Sequence, residues 1–173
     1  MRRAAVSVLV SVLCLVTCCW GGHLKSLTWG DKQAFLDAHN QARRQEGAGL
    51  RDLTWSDDLA NKVSVLASTC RMSHTPASRR YWGENIMATS NRHISARLVA
   101  AQATEMWVSE RAYNDGTYRC MTDGSCGHYT QVVWRDTRQV GCAVSTCDYT
   151  WDLGTLVVCS YYPPGNWMGE KPF

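Results

Sequence analysis

Six cysteines that follow an apolar N-terminal segment constrain the fold of this chain more than any other feature. Residues 4–22 carry no charge and follow Met1-Arg2-Arg3, a pattern typical of a secretory signal peptide. In an exported chain, an even number of cysteines predicts disulfide bonds, because the compartment is oxidising. No two of the six form the C-x-x-C pair of a zinc site, and their spacing alone leaves the connectivity open. The six are Cys70, Cys120, Cys126, Cys142, Cys147 and Cys159.

The N-terminal segment sets the expected domain boundary. We expect residues 1–21 to be a signal peptide, cleaved after Cys19 or Gly21, and residues 22–173 to form one mature domain. The rival interpretation is a signal anchor. The segment reaches the ~20 residues that span a bilayer only when its serine, threonine and glycine residues are counted. The prediction is therefore a secreted, extracellular protein.

The charge of the chain argues against nucleic acid as a partner. The formal net charge is +3, and losing the two arginines of the signal peptide lowers it to about +1. This low charge does not indicate a basic surface that would bind nucleic-acid phosphates. The mature part has no coiled-coil pattern and no odd cysteine, so we expect a monomer.

The first half of the mature chain is predicted to form three helices. Asp31 is a candidate N-cap for a first helix that Gly47 stops, and Ser56 is a candidate N-cap for a second. Apolar residues recur at spacings of three and four in both. A third helix is predicted from Ser95 to about Tyr113.

The third helix carries two carboxylates on different faces. One stripe, at spacings of four, three and four, consists of Val99, Ala103, Met106 and Glu110. Glu105 falls on a more polar stripe. We therefore expect Glu110 rather than Glu105 to point inward.

In the second half of the chain, the helical spacing of apolar residues gives way to short runs typical of strands. Residues 128–134, 141–147 and 156–162 are short runs rich in Val, Tyr and Thr, and they predict an antiparallel meander. Residues 75–92 are expected to be irregular. Residues 163–167 contain two prolines and are expected to loop over the surface. Helices followed by strands, without β-α-β alternation, predict an α+β fold with helices packed on an antiparallel sheet.

Four blocks of polar residues stand in apolar surroundings. They are His39-Asn40-Gln41-Ala42-Arg43, Gly83-Glu84-Asn85-Ile86, Gly127-His128-Tyr129-Thr130-Gln131-Val132-Val133-Trp134 and Leu156-Val157-Val158-Cys159-Ser160-Tyr161. Together they resemble the signature motifs of the CAP superfamily, the cysteine-rich secretory, antigen-five and pathogenesis-related proteins. The resemblance covers residues 27–173. The six-cysteine layout is most similar to that of plant-type pathogenesis-related class-one proteins.

The resemblance implies a fold and a disulfide pattern. The implied fold is a three-layer α-β-α sandwich with a central antiparallel sheet, stapled by disulfides. The implied pairs are Cys70 with Cys147, Cys120 with Cys126, and Cys142 with Cys159. The first would tie the second helix to the sheet and close a long loop, worth about 4 kcal/mol.

The resemblance also implies a central cleft formed by two histidines and two acids. By motif these are His74, Glu84, Glu110 and His128. Two imidazoles beside carboxylates suit a zinc site, which makes His74 and His128 candidate ligands and Zn²⁺ a candidate cofactor. A buried hydrogen-bonded network that joins helices to sheet without a ligand fits the same residues.

Two other polar sets are expected to be structural. His39 and Arg43 stand four apart on one helix face, which, with Asn40, suits packing and hydrogen bonds to the C-terminal loop. A second set is predicted to alternate along a strand with one face in the core: Tyr129, Gln131 and Trp134.

The motifs predict binding rather than catalysis. The H-E-x-x-H pattern of metalloproteases and the G-x-S-x-G nucleophile elbow are absent from the sequence. No unpaired mature cysteine is expected to remain as a nucleophile. A zinc-dependent hydrolase built on the two histidines and two acids is the remaining enzymatic alternative. It lacks a visible nucleophile-and-base pair.

The resemblance implies a defence protein that binds a sterol or another lipid. Microbial membrane sterols are the implied partners, with antimicrobial action as the result. Residues 83–95 form a predicted loop that could line an apolar pocket, although a loop that under-packs the core would have the same composition. Its apolar residues are Ile86, Met87, Ala88 and Ile94.

The alternative function is that of a precursor for a signalling peptide. In plant-type relatives, the final segment after a Cys-Asn-Tyr-x motif resembles a released defence peptide. Here it would be residues 163–173. Ser160 replaces the Asn of the motif and Phe173 replaces a terminal Tyr. A structural tail anchored by Trp167 is the competing interpretation.

Overall fold

The computed structural model describes residues 22–115, 120, 125–147 and 153–173. The predicted signal peptide, residues 1–21, lies outside this part of the chain. The strands are β1 (His23–Leu24), β2 (Thr54–Trp55), β3 (Gly83–Thr89), β4 (Gln139–Thr146) and β5 (Thr155–Tyr162). The helices are α1 (Trp29–Gln45), α2 (Asp57–Ser68), α3 (Ala96–Ser109) and α4 (Gly127–Val132). Within the described ranges, no helix is long and apolar enough to cross a membrane.

The sheet is built around β5. This strand pairs antiparallel with β4 on one side and with β3 on the other. The outer edge of β4 pairs antiparallel with β1 at one end and parallel with the two-residue β2 at the other. The predicted antiparallel sheet is therefore confirmed, apart from this one short parallel pair.

Helices cover both faces of the sheet, because alternate residues of β5 point in opposite directions. Val157, Cys159 and Tyr161 pack into the core that α1, α3 and α4 share with the sheet. Leu156 and Val158 pack against α2 on the other face. All five are fully buried. The result is the α-β-α sandwich that the resemblance implies.

The first helix begins earlier than predicted. Its N-cap is Thr28 rather than Asp31. Thr28 Oγ1 accepts a hydrogen bond from the Asp31 N–H at 3.2 Å, and the Asp31 carboxylate accepts one from the Thr28 N–H at 2.9 Å. Acidic residues are favoured both as N-caps and three residues inside a helix, where they complete a capping box. This explains why Asp31 resembled the N-cap in the sequence. Ser56 and Ser95 cap α2 and α3 as predicted.

The predicted strand at residues 128–134 is wrong, because this segment forms α4. Its apolar residues Tyr129, Val132 and Val133 are buried, and their spacing of three and four brings them to one face of a helix. The β-branched residues bias the local sequence toward a strand. Burial of this helical face overrides that bias.

The set assigned to that strand is nevertheless in the core. Tyr129, Gln131 and Trp134 are at most 3% exposed, but they lie on and just after a helix rather than alternating along a strand. Glu110 satisfies two N–H groups at the start of α4, those of His128 and Tyr129. The helix therefore receives at its N-terminus the external acceptor that a short helix needs.

Residues 75–92 are not irregular throughout, because β3 lies within them. The strand is hard to recognise since helices cover both faces of the sheet and its sequence does not alternate. The apolar residues of the predicted 83–95 loop belong to the core rather than to a loop pocket. Ile86, Met87 and Ile94 are at most 5% exposed, and Ala88 packs against the α2 side of the core.

Three disulfide bonds join the pairs that the resemblance implies. They are Cys70–Cys147, Cys120–Cys126 and Cys142–Cys159. The first links the segment after α2 to the end of β4. The second joins two cysteines six positions apart, the later of which directly precedes α4, and the third cross-links facing residues of β4 and β5.

A buried chain of hydrogen bonds crosses the sandwich at His39. Its Nδ1 lies 2.7 Å from the Phe35 carbonyl and must donate, so its Nε2 accepts from the Tyr161 hydroxyl at 2.8 Å. Asn85 Nδ2 donates to the same hydroxyl oxygen at 3.2 Å and to the His128 carbonyl at 3.0 Å. This chain joins α1, β5, β3 and α4. The structural role predicted for His39 is thereby given specific partners.

Arg43 fastens α1 to the far end of α4. The buried guanidinium donates from Nη1 to the carbonyls of Val132 and Trp134, both at 2.9 Å, and from Nε to that of Arg51. Burial lowers the pKa of Arg43 to about 10. Its partners are the turn after α4 and the segment after α1, rather than the C-terminal loop that was expected.

The protein is expected to lose stability as the pH falls from 6.5 to 4, with His39 as a main cause. Burial lowers the pKa of His39 from 6.5 to about 4, so in this window the unfolded chain binds a proton that the folded chain excludes. The stabilisation is complete above pH 6.5 and is lost on approach to pH 4, by about 3 kcal/mol. Urea unfolding measured across this range should show a flatter pH dependence in His39→Gln.

His93→Gln serves as the control, since this histidine is exposed. It should keep the wild-type dependence of unfolding free energy on pH. An unchanged slope in His39→Gln would show that other groups govern the acid sensitivity.

Candidate functional site

A cleft of about 530 Å³ opens at one end of the sandwich. Its walls include His74 and Arg80 from the α2–β3 connection, Glu84 from β3, His128 from α4 and Trp167 from the C-terminal segment. We call it the histidine cleft. Its volume lies in the range of small-molecule sites, about 300–1,000 Å³.

Glu84 forms the fixed point on one side of the cleft. Its side chain is fully buried. Oε1 accepts hydrogen bonds from His74 Nδ1 and the Thr75 N–H, both at 2.9 Å. Oε2 accepts from Thr75 Oγ1 at 2.9 Å and from Trp82 Nε1 at 3.4 Å. Each carboxylate oxygen therefore has two donors.

These donors keep the Glu84 carboxylate charged. Burial by itself would raise the pKa of Glu84, but the hydrogen bonds from its neighbours outweigh burial and hold the pKa below its usual value. With about four lone-pair sites filled, the carboxylate has no free acceptor with which to take a proton from a substrate.

Glu110 holds the second histidine. It lies at the C-cap of α3, and its side chain is 18% exposed. Oε1 lies 2.6 Å from His128 Nδ1, and Oε2 accepts from the His128 N–H at 2.9 Å. The Trp107 ring lies nearly parallel to the imidazole, with 6.2 Å between ring centroids. His128 is thereby fixed in both position and ring orientation.

The inward direction predicted for Glu110 agrees with its contacts, and Glu105 is exposed. The exposed Met106 does not belong to the buried face, although the stripe includes it. The buried face of α3 instead centres on Val99, Ala103 and Trp107.

The same nitrogen, Nδ1, is engaged by a carboxylate in both imidazoles. A carboxylate only accepts hydrogen bonds, so His74 and His128 each donate from Nδ1, and the neutral ring keeps its lone pair on Nε2. This is the arrangement in which carboxylates orient metal-binding histidines. It equally allows each Nε2 to accept a hydrogen bond from a hydroxyl.

The donor set does not reach the number of ligands that zinc usually takes from a protein. Zinc sites use three or four protein ligands. Within the part of the chain that the structure describes, no group of three or more His, Cys, Asp or Glu side chains could hold a metal ion. Two imidazoles are the ligands that this cleft offers.

The C-terminal segment forms another wall of the cleft, through Pro164, Gly165, Asn166 and Trp167. The Asn166 side chain accepts from Thr130 Oγ1 at 2.7 Å and donates to the Gly127 carbonyl at 2.8 Å. The Gly165 N–H donates to Gln131 Oε1 at 2.9 Å. Helix α4 therefore positions both His128 and this wall.

Three of the four residues assigned by the resemblance line the cleft: His74, Glu84 and His128. Glu110 does not line it but orients His128 from outside. The four are arranged as two separate histidine–carboxylate pairs, which leaves room for a ligand between them.

Sequence reasoning missed several lining residues. Arg80 and Tyr81 lie one residue before the Gly-Glu-Asn motif, separated from it by Trp82, and Asn166 and Trp167 lie in the C-terminal segment. Tyr81 and Trp167 are more than half exposed. Adjacency to the motif was the one signal that could have indicated the first two, whereas only the fold brings the last two to the cleft.

Comparison with known proteins places this architecture in a family. Residues 36–161 match the family model described as "CAP: Cysteine-rich secretory protein family". The chain belongs to the CAP family. Pathogenesis-related protein 1A of Nicotiana tabacum is 42% identical to this CAP protein over 147 residues, which cover 82% of this chain and 80% of the relative.

Two further comparisons support the assignment. Pathogenesis-related protein 1 of Arabidopsis thaliana is 41% identical over 147 residues, which cover 82% of both chains. A crystal structure of NaASP2 with Zn²⁺ superposes on this CAP protein with a TM-score of 0.75 and 28% identity, over 85% of this chain and 86% of that one. Both the sequence and the fold of this chain are thus those of CAP proteins.

Substitution of Glu110 is expected to loosen His128. Glu110→Gln removes the carboxylate that accepts from His128 Nδ1 and from the start of α4, and should lower the free energy of unfolding by about 1–3 kcal/mol. It should also weaken the preference of His128 for the Nδ1–H tautomer, which ¹⁵N NMR of the imidazole reports.

Glu105→Gln is the matched control on the same helix. Its side chain is exposed, so stability should stay within about 0.5 kcal/mol of wild type. Equal effects of the two substitutions would contradict the role given to Glu110.

Proposed function

We propose that this CAP protein is an extracellular defence protein that binds an amphipathic ligand, a sterol or another lipid, in the histidine cleft. Binding of microbial membrane sterols would be the basis of an antimicrobial action. The pathogenesis-related names of its relatives support the defence role. The disulfides and the secretory family support an extracellular location.

The polarity of the cleft carries the proposal. Tyr81 is 60% exposed and Trp167 is 56% exposed, and both line the opening. Such rings offer large apolar faces to a ligand. His74 and His128 line the same cleft, and in the neutral ring each keeps Nε2 as an acceptor. A ligand with an apolar body and a terminal hydroxyl matches this combination.

The carboxylates of the cleft fit a positioning role better than general-base catalysis. A hydrolase that used one of them as its base would need a free lone pair on that carboxylate. Hydrogen bonds fill the lone pairs of Glu84, and Glu110 is engaged by His128 and the N-terminus of α4. The proposed role of the acids is to orient the imidazoles.

Zinc enters the proposal only as a weakly held ion. NaASP2 was crystallised with Zn²⁺. Here His74 and His128 would be its two protein ligands, through Nε2. Two imidazoles fall short of the three or four protein ligands of a zinc site, so the proposal does not depend on a bound ion.

The proposal is tested by titrating purified mature protein with radiolabelled cholesterol and ergosterol, with and without a chelator. We expect saturable binding, weakened about tenfold by Tyr81→Ala or Trp167→Ala because each removes an aromatic face. Trp29→Ala is the matched control. Trp29 is 78% exposed but lies at the start of α1, outside the cleft.

Two results would overturn the proposal. One is the absence of saturable binding under either metal condition. The other is an equal loss of affinity in Trp29→Ala, which would assign binding to nonspecific apolar contact.

The C-terminal segment supports a second candidate, release of residues 163–173 as a signalling peptide. The segment follows the last strand and exposes Met168 almost completely. Release of the segment after cleavage behind Tyr162 would require the loss of the hydrogen bonds that Gly165 and Asn166 make with α4. Mass spectrometry of native secretions should detect the 163–173 fragment together with a chain that ends at Tyr162. Recovery of intact chains alone would exclude this candidate.

A further inference from the structure

Arg80 is a cation in the histidine cleft without a hydrogen-bond partner for its guanidinium among the described residues. It is also the only Lys or Arg among the described residues that line the cleft. Its side chain is 27% exposed. The nearest carboxylate oxygen is Glu84 Oε1, 3.6 Å from Nη1, which is beyond hydrogen-bond distance.

Glu84 cannot use the donors of Arg80. Its two oxygens already accept two hydrogen bonds each, from three neighbouring residues. A carboxylate has about four lone-pair sites, so all are filled. The long contact with Arg80 is therefore an ion pair without a hydrogen bond.

The unused donors of Arg80 remain accessible from the cleft. The only buried side-chain nitrogen or oxygen atom without a partner in the described chain is Ser145 Oγ, so the guanidinium nitrogens of Arg80 keep contact with solvent. Glu84, the only carboxylate among the described lining residues, is fully buried. The charged group that a ligand can contact directly in this cleft is consequently the Arg80 guanidinium, whose charge its ion pair with Glu84 partly offsets.

We propose that the histidine cleft selects ligands with an acidic head group, a carboxylate, sulfate or phosphate, which Arg80 binds through its guanidinium. The fork of N–H donors matches two oxygens of such a group and forms stronger hydrogen bonds than neutral donors do. The exposed Tyr81, next to Arg80 in the chain, would receive the adjoining apolar body. This inference rests on the proposed function and specifies the chemistry of the lipid.

The test compares three probes that separate the head group from the body. Radiolabelled cholesteryl sulfate carries both, cholesterol carries a neutral hydroxyl on the same body, and inorganic sulfate carries the anion alone. Wild-type mature protein should bind cholesteryl sulfate about tenfold more tightly than cholesterol, since hydrogen bonds between charged groups are the strong ones. Arg80→Gln should lower the affinity for cholesteryl sulfate about tenfold and so remove this preference.

Arg79→Gln is the matched control. Arg79 is the adjacent arginine, exposed and outside the cleft lining, so its loss changes the net charge equally without removing the proposed contact. It should keep the wild-type preference. Arg80→Lys keeps the charge but loses the fork, and should retain only part of the preference. Thermal unfolding and near-ultraviolet circular dichroism of each variant establish that the fold is intact.

The outcomes separate this inference from the proposed function. Equal affinity for both sterols, unaffected by Arg80→Gln, overturns the acidic head group and leaves sterol binding in place. Sulfate binding that depends on Arg80, without binding of either sterol, supports the anion site and removes the lipid. If none of the probes binds, both proposals fail. If Arg79→Gln abolishes the preference as Arg80→Gln does, net charge rather than Arg80 is responsible.

Discussion

The histidine cleft depends on a buried chain of hydrogen bonds that runs through Tyr161. The Tyr161 hydroxyl donates to His39 and accepts from Asn85, which also holds the His128 carbonyl. Polar groups at this depth cost free energy unless every one is paired, so one arrangement of α1, β5, β3 and α4 satisfies them together. Burial also raises the pKa of Tyr161 well above its usual value, so the hydroxyl keeps its proton and remains a donor. The position of His128 in the cleft follows from this chain.

The acidic and basic side chains at the cleft have different roles. Glu84 and Glu110 spend their lone pairs on holding imidazoles and backbone N–H groups, which leaves two Nε2 atoms and one guanidinium for a ligand. The acids thus determine the geometry, while the bases provide the contacts. Aromatic rings at the opening, Tyr81 and Trp167, add apolar surface. The carboxylates are thus engaged in positioning the imidazoles and the start of α4.

Much of the α part could be predicted from the sequence, and less of the sheet. The caps Ser56 and Ser95 and the inward side of Glu110 were predictable, because helix capping and periodicity are local. The helix α4 was not, since its residues favour a strand and only Glu110, eighteen positions earlier, supplies its N-terminal acceptor. The strand β3 was also missed, because helices cover both its faces and remove the alternation that marks a strand.

The sequence by itself determined the class of the protein, through six cysteines, an α+β order of elements and the four CAP motifs. The motifs also identified His74, Glu84, Glu110 and His128. Tertiary structure decided how these four are divided into two pairs and which further residues share their cleft. Arg80 and Trp167 are 87 positions apart in the chain, yet they line the same cleft. Whether the N–H donors of Arg80 find a hydrogen-bond acceptor depends on how many lone pairs its spatial neighbours still have free. No local pattern in the sequence encodes the number of free lone pairs.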